Sequence, residues 1–460
     1  MRVSTLPIFA LLVAGCATAP SPLGEVGRIL AAHDDHPVQV CALVVDLDTG
    51  ETVLSREAQR LCRPASTMKL LTTSSICRRD VDRPFVTQAI CDGTPAGELV
   101  LIGDGDPFLS TANLRWMADN LAAQGVEKID GWVRVMDPLS GAPRWGEGWM
   151  WDDEPSTFQP LFSGIPVDRG CVTVALSGEA DSFAAELLPV AGDLRTEVAS
   201  FGGGLRVSRG RYREPDVVRV TGGLPDGEPT TRRISVPDPA RFTGKVFADA
   251  LRRAGIDCQD GVEVEARREV AAGITTQFER SLADVVVETN KVSDNLGAEL
   301  LLRRLASMSE LHAVDLGPES ETIGCMTVAA DLEDLGVAVD GFRIADGSGV
   351  SHYNLVSADL LVRILVDMDR RDDAGGRLFR RSLPIAGVDG TLKNRMKGSA
   401  AERRVSAKTG TISAVSNLAG YVETRSGRRL AFAILCQNFV GSARPWRQLQ
   451  DRICAELAEL

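Results

Sequence analysis

In the stretch RPASTMKLLTTSSIC, residues 63–77, the part from Ser66 onward has the composition of a protein interior except at one position. From Ser66 to Cys77 the only charged residue is Lys69. The preceding proline and serine predict that a helix begins near Ser66. We expect this helix to be buried on most sides, because its apolar side chains occupy all of its faces; they are Met68, Leu70, Leu71 and Ile76.

The spacing of Ser66 and Lys69 predicts that their side chains meet, because residues three apart lie on one face of a helix. A serine hydroxyl is a weak nucleophile at neutral pH and needs a base. A lysine serves as that base only when burial or a neighbouring positive charge lowers its pKa. Because a lysine on a helix commonly extends to solvent, the S-x-x-K pattern is weak by itself.

Two further motifs strengthen this interpretation. Ser293, Asp294 and Asn295 read SDN, and Lys408, Thr409 and Gly410 read KTG, in that chain order. S-x-x-K, S-D-N and K-T-G together are typical of serine β-lactamases and penicillin-binding proteins.

The length and composition indicate how many domains to expect and which classes of partner to exclude. The chain has 460 residues, 44% of them hydrophobic, which is enough for two or three globular domains. The net charge is -12 and no basic run is present, so we expect neither nucleic acid nor anionic lipid surfaces as partners.

The N-terminus predicts export. A positive start is followed by a short apolar run that ends in VAGC at Cys16, and residues 1–15 read as a signal peptide. The small residues before the cysteine resemble a bacterial lipobox, which implies cleavage and lipid attachment at Cys16. The alternative is a plain signal peptide in which Cys16 only lies near the cleavage site.

Neither the cysteines nor the histidines predict a metal site. Nine cysteines remain when Cys16 is set aside, and they include no C-x-x-C pair, so their disulfide pairing stays open. A Ser-His-Asp triad would leave Lys69 unexplained, and for HDDH, residues 33–36, we expect a solvated loop. We therefore expect no metal and no cofactor. The histidines are His33, His36, His312 and His352.

The pattern along the chain predicts a discontinuous domain. PVQVCALVVDLDTGETVLSRE reads as a β-hairpin, and the chain ends in two or three strands and an amphipathic helix, so strands from both ends can share one sheet. Residues 81–274 are rich in glycine, proline and short alternating runs. After a signal peptide at 1–15, we predict one domain from residues 22–80 and 275–460, with a β-rich insertion of residues 81–274.

Beyond these motifs, the chain resembles the D-alanyl-D-alanine carboxypeptidase/endopeptidase family, the class C low-molecular-mass penicillin-binding proteins. The resemblance extends from about residue 38 to the C-terminus. It rests on the segments PASTMKLLTT, GDPFL, TNKVSDNLGAELLL, DGSGVSHYNLVS, SLPIAGVDGTLKNRM and AKTGTISAVSNLAGYV. The 227 positions from Ser66 to Ser293 also resemble this family, which carries inserted domains there. One departure is His352, where relatives usually have a basic residue.

The resemblance implies a fold and a set of roles. The fold class is α/β (α+β), a penicillin-binding transpeptidase-like fold with a five-stranded antiparallel sheet flanked by helices. Ser66 would form the acyl-enzyme, Lys69 would be its base, and Ser293 would relay protons. The residues implied in substrate binding are Asn295, Lys408, Thr409 and Gly410. The backbone N–H groups of Ser66 and Thr411 would form the oxyanion hole.

The implied activity is hydrolysis of D-Ala-D-Ala bonds in peptidoglycan muropeptides, on the periplasmic side of a bacterial envelope, with β-lactams as covalent inhibitors. Two alternatives remain. One is a serine β-lactamase, which would differ in fast deacylation. The other is a non-catalytic penicillin-binding scaffold. The balance between carboxypeptidase and endopeptidase action stays open.

Overall fold

The computed structural model describes residues 22–33, 37–92, 96–180, 182–190, 193–200, 203–210, 214–224, 228–308 and 316–460. The predicted signal peptide, Cys16, His36 and His312 lie outside these ranges. Within the described ranges, no helix combines the length and apolar character needed to cross a bilayer.

The described strands follow one another along the chain. They are β1 (Gln39–Asp46), β2 (Thr52–Arg56), β3 (Phe85–Asp92), β4 (Ala96–Ile102), β5 (Lys128–Met136), β6 (Cys171–Glu179), β7 (Ser182–Leu188), β8 (Arg195–Ser200), β9 (Arg206–Arg209), β10 (Val217–Gly222), β11 (Thr230–Ser235), β12 (Val262–Glu265), β13 (Ile274–Arg280), β14 (Val405–Ile412), β15 (Val415–Glu423) and β16 (Arg429–Gln437).

The described helices lie mostly in the two ends of the chain. They are α1 (Pro22–Ala31), α2 (Lys69–Cys77), α3 (Thr111–Ala123), α4 (Pro239–Arg253), α5 (Leu282–Lys291), α6 (Asn295–Met308), α7 (Ser320–Asp334), α8 (Ala358–Arg370), α9 (Ala374–Ser382) and α10 (Arg444–Ala458). Short 3₁₀ turns span Ala65–Met68, Trp151–Asp153, Val167–Gly170, Val339–Gly341 and Gly390–Leu392.

The central sheet combines both ends of the chain. Its order is β14-β15-β16-β1-β2, and every neighbouring pair is antiparallel. Alternate residues of β1 face opposite sides: Leu43 packs in the core that contains α2 and α8, whereas Ala42 and Val44 pack in the core that contains α1 and α10. The predicted five-stranded antiparallel sheet flanked by helices, and with it the α+β class, is confirmed.

The inserted region is built from three further sheets. One has the order β12-β5-β4-β3-β13, and two three-stranded sheets have the orders β8-β10-β9 and β11-β6-β7. A single apolar core connects all three sheets and the helices α3 and α4, with Leu101, Val174, Val220 and Phe247 among its members. The region is therefore β-rich, as the sequence predicts.

Helix α5 does not continue into α6, although the sequence reads as one helical run from residue 281 to residue 308. The break falls between Lys291 and Asn295, where Ser293 has φ of +62°. A positive φ is unfavourable for a residue with a side chain, and such strain persists where the surroundings fix it. The break lies within the SDN motif.

Candidate active site

Ser66 lies in a 3₁₀ turn that leads directly into α2, rather than in the α-helix itself. The Asn417 amide donates hydrogen bonds to the carbonyls of Arg63 and Pro64, at 2.9 and 2.8 Å. On the other side the turn touches Gly349, where an added Cβ would lie 1.8 Å from the Ala65 carbonyl oxygen. The turn is therefore held between strand β15 and the loop that contains Gly349, and the serine is half-buried.

Lys69 is the centre of a hydrogen-bond network, as its position in an uncharged run suggests. Its Nζ atom donates to Ser66 Oγ at 3.1 Å, to Asn295 Oδ1 at 2.6 Å and to the Ser348 carbonyl at 2.7 Å. Burial lowers the pKa of Lys69 to about 8, and the carboxylates of Asp346, Asp294 and Glu299 oppose this shift. A minority of the molecules therefore carries the free amine at pH 7.

The Ser348 carbonyl is held in place by buried carboxylates. Glu299 Oε1 accepts from the backbone N–H groups of Gly347 and Ser348, at 3.1 and 2.9 Å. Asp346 Oδ1 accepts from the Gly349 N–H at 2.7 Å. Burial and the charge of Asp346 raise the pKa of Glu299 to about 7. The loop of residues 346–349 thus supports the cleft. Among the described residues, no cluster of metal-ligating side chains occurs.

The break between α5 and α6 brings the SDN motif to both lysines. Ser293 Oγ accepts from Lys408 Nζ at 2.8 Å, and Asn295 Oδ1 accepts from Lys69 Nζ. Asn295 Nδ2 also donates to the Phe158 carbonyl at 2.8 Å. The three motifs therefore meet at one place, with Ser293 beside Lys408 and Asn295 beside Lys69.

Strand β14, at the edge of the central sheet, carries the KTG motif along the serine turn. Burial lowers the pKa of Lys408 well below its usual range, and the charge of Lys69 lowers it further. Burial is thus the main cause of the lowered pKa at both lysines. Thr409 Oγ1 donates to Thr391 Oγ1 at 2.9 Å, and the Thr411 side chain is exposed.

Gly410 is needed for close packing of β14 against the serine turn. A Cβ at Gly410 would lie 2.6 Å from the Pro64 carbonyl oxygen and 3.1 Å from the Ser66 nitrogen. The resemblance implies a role for this glycine in substrate binding, and the structure adds its contact with the turn. Because β14 passes this close to the Ser66 amide, the neighbouring Thr411 is placed near the predicted oxyanion hole.

The inserted region supplies contacts that no motif in the sequence indicates. Trp149 Nε1 donates to Asp346 Oδ2 at 2.8 Å, and the Phe158 carbonyl holds Asn295. The contact with Asn295 is made by the main-chain carbonyl of residue 158, and every residue type has such a carbonyl. The contact between Trp149 and Asp346 joins residues 197 positions apart. In the sequence, only the lack of other charged residues around Lys69 indicates that this part of the site is buried.

The remaining candidates lie apart from this network. His352 is half-buried, and burial followed by the charge of Arg63 lowers its pKa, against the effect of Asp153. His33 Nδ1 is 2.9 Å from the Ile29 carbonyl. Each of the nine described cysteines is a free thiol; the sulfurs of Cys41 and Cys62 are 3.6 Å apart.

Comparison with known proteins agrees with this geometry. Residues 25–456 match the family described as D-Ala-D-Ala carboxypeptidase 3 (S13). A D-alanyl-D-alanine carboxypeptidase of Actinomadura sp. is 34% identical over 91% of this chain and 80% of its own length. The D-alanyl-D-alanine carboxypeptidase DacB of Haemophilus influenzae is 26% identical over 75% of this chain and 72% of its own.

Among solved structures, penicillin binding protein 4 (dacB) of Haemophilus influenzae matches with a TM-score of 0.81. The match covers 95% of this chain and 100% of that one, at 21% identity. The two chains therefore share the fold, including the β-rich inserted region.

Proposed function

The chain belongs to the D-Ala-D-Ala carboxypeptidase 3 (S13) family and is a serine-type D-Ala-D-Ala carboxypeptidase; from this premise we propose that Ser66 is the residue that carries the acyl group. The observation that supports the proposal most directly is the 3.1 Å hydrogen bond between Lys69 Nζ and Ser66 Oγ. Burial keeps part of Lys69 as the free amine, which is the form that accepts the serine proton.

In the proposed acylation, Ser66 Oγ attacks the carbonyl carbon of the penultimate D-alanine while its proton passes to Lys69. The backbone N–H groups of Ser66 and Thr411 stabilise the oxyanion, and each such donor contributes about 3 kcal/mol in other serine hydrolases. The bond to the terminal D-alanine then breaks, and Ser293 passes a proton to the leaving amine. Water hydrolyses the resulting ester and regenerates Ser66.

We assign substrate recognition to the side of the cleft formed by the KTG and SDN motifs. Lys408 and Thr409 bind the terminal carboxylate, and the arrival of that anion raises the pKa of Lys408 towards its usual range. Gly410 keeps the strand close to the serine turn. Asn295 holds Lys69 and also meets the substrate amide.

The assignment is tested by acylation and by product release together. Labelled penicillin is expected to acylate the wild-type protein, and a muropeptide pentapeptide is expected to release D-alanine. Ser66→Ala should lose both activities, while Ser74→Ala, a buried serine of α2 outside the network, should keep them. Acylation of the S66A variant would contradict the assignment.

The substrate class follows from the same site. We propose that the enzyme acts on peptidoglycan stem peptides, that it also cuts D-Ala-D-Ala cross-links, and that β-lactams inhibit it as covalent acylating agents. Resolving the products of monomeric pentapeptide and cross-linked dimer muropeptides measures the balance. If neither is cut although penicillin still acylates Ser66, the protein is a scaffold rather than a hydrolase.

We propose that the protein is exported to the periplasmic side of the envelope and is anchored by a lipid on Cys16. The support is the sequence of the first 16 residues, MRVSTLPIFALLVAGC. Radiolabelled palmitate should enter the wild-type protein and not Cys16→Ala. Equal labelling of both, or of neither, would contradict the anchor.

We propose the division into a catalytic domain of residues 22–80 and 275–460 with an insertion of residues 81–274. The antiparallel pairing of β13 with β3 supports an end of the insertion a few residues further on, after Arg280. With that end, the chain enters and leaves the insertion near Phe85 and Arg280, which are paired neighbours in β3 and β13.

A further inference from the structure

A groove with three arginines leads from the SDN segment into the inserted region. A cavity of about 310 Å³ is lined by Ser293 and Asn295 of the SDN segment and by Arg169 and Arg233 of the inserted region. A second cavity, of about 630 Å³, shares Arg169 and Arg233 with the first and adds Arg115. The two cavities adjoin along these shared residues, and we call them together the arginine groove. Their volumes lie in the range of binding sites for small molecules.

Two of the three arginines are free to bind an anion. Among the described residues, no carboxylate forms an ion pair with Arg115 or Arg233, and both side chains are exposed. Arg233 Nη2 donates only to the main-chain carbonyl of Asp168, at 2.7 Å. When an arginine is not paired with a carboxylate, most of the N–H donors of its guanidinium group are available to a ligand.

The acidic groups near the groove are already engaged. Arg169 pairs with Glu288 at 2.8 Å and with Asp294 at 3.3 Å. The Asp168 carboxylate accepts from the Thr111 backbone N–H and hydroxyl, at 3.1 and 2.5 Å. The groove therefore contains two exposed guanidinium groups, those of Arg115 and Arg233, that no described carboxylate pairs with, and Ser293 lies in the same cavity as Arg233.

From this geometry we propose that the arginine groove binds a side carboxylate of the peptidoglycan stem peptide while its D-Ala-D-Ala end lies at Ser66. The proposal rests on the proposed function. A guanidinium binds a carboxylate through two parallel hydrogen bonds, which gives both affinity and orientation. An extended peptide advances about 3.3 Å per residue. A carboxylate three residues before the cleaved bond is therefore about 10 Å from it in an extended peptide, and the groove begins at the SDN segment.

The test compares two stem pentapeptides that differ in one group: the α-carboxylate of the γ-linked glutamate is free in one and amidated in the other. The readout is kcat/KM for D-alanine release by the full-length protein. We expect the wild type to prefer the free carboxylate by about tenfold, the usual effect of one charged hydrogen bond. Arg233→Gln and Arg115→Gln should each reduce this ratio, mainly through KM.

Arg232→Gln is the matched control. Arg232 neighbours Arg233 on β11, but it projects to the other face of the strand and donates to Thr230 Oγ1 and the Thr231 carbonyl, at 3.0 and 2.9 Å. Acylation by labelled penicillin verifies that each variant is folded, and R115Q provides a second test if R233Q does not fold.

The outcomes distinguish a failure of the carboxylate site from a failure of the proposed enzymatic function. If the wild type hydrolyses the free and amidated peptides equally well, the groove does not bind the carboxylate and the inference is overturned. The same holds if the ratio of kcat/KM for the two peptides is the same in R233Q, R115Q and R232Q. If the wild type releases D-alanine from neither peptide, the proposed function itself fails.

Discussion

At Lys69, two opposing effects set the pKa of the ammonium group. Burial lowers it, while the carboxylates of Asp346, Asp294 and Glu299 raise it, and the result is a pKa of about 8. If Lys69 is the base, the acylation rate follows its free-amine fraction. That fraction rises about tenfold per pH unit below the pKa and levels above it.

We therefore expect the rate of acylation by labelled penicillin to rise from pH 6 to pH 8 and then to level. Asp294→Asn removes one charge that raises the pKa and keeps an oxygen for the Gly297 N–H, so its midpoint should move to lower pH. Stopped-flow acylation between pH 6 and 9.5 measures both midpoints. A flat wild-type profile would exclude Lys69 as the base.

Glu299 provides a separate prediction for stability. Its pKa is raised to about 7 in the folded protein, from an ordinary value of 4.5. The folded state therefore binds the Glu299 proton more tightly than the unfolded state. This contribution to the free energy of unfolding is fully present below pH 4.5 and is lost as the pH rises through 7. Glu299→Gln, which does not titrate, should flatten this part of the stability profile.

Urea unfolding at several pH values between 4 and 8 measures the slope. The control is Glu279→Gln on β13, which keeps the shape of an acidic side chain that lies outside the network. Equal slopes in wild type and E299Q would mean that Glu299 titrates alike in the folded and unfolded protein.

At the scale of elements, the contact between β14 and the serine turn provides a third prediction. Gly410→Ala would place a Cβ 2.6 Å from the Pro64 carbonyl oxygen, which is backbone and has little freedom to move. We expect the turn to shift, with a loss of about 1–3 kcal/mol in the free energy of unfolding and at least a tenfold slower acylation. Gly27→Ala, with open space around its Cβ, is the control. Wild-type acylation by G410A would show that the turn adapts.

The same elements indicate what the sequence predicts and what it does not. The hairpin β1–β2 and the last three strands follow from alternation and turn residues, and the Ser66–Lys69 contact follows from helical spacing. The break at Ser293 was not predicted, because apolar residues with helical spacing lie on both sides of it and residues 281–308 read as one helical run; the positive φ is imposed by tertiary contacts of the motif. Local propensity yields to such contacts.

For the molecule as a whole, the cleft depends on a region that is distant from it in sequence. Trp149 and the Phe158 carbonyl, both in the inserted region, contact Asp346 and Asn295. These contacts join residues 197 and 137 positions apart. The periodicity and spacing of a single sequence do not predict such a long-range contact. The three motifs, in contrast, are recognisable from the residue types they contain. The contact between Ser66 and Lys69 was therefore predictable, and the support of the cleft by the insertion was not.

This dependence leads to the last prediction. Trp149→Phe keeps an aromatic ring against Phe162, whose centroid is 5.0 Å away, but removes the N–H that donates to Asp346 at 2.8 Å. Asp346 orders the loop whose Ser348 carbonyl accepts from Lys69, so the loss of this hydrogen bond affects Lys69 through one loop. We expect acylation several-fold slower and a free energy of unfolding lower by about 1–2 kcal/mol.

Trp132→Phe, an exposed indole on β5 of the inserted sheet, is the matched control and should change neither quantity by as much. Urea unfolding and penicillin acylation, measured on the same preparations, separate two possibilities. If W149F is less stable but is acylated at the wild-type rate, the insertion supports the cleft only as a scaffold. If both fall together, the inserted region positions Lys69 as well as stabilising the fold.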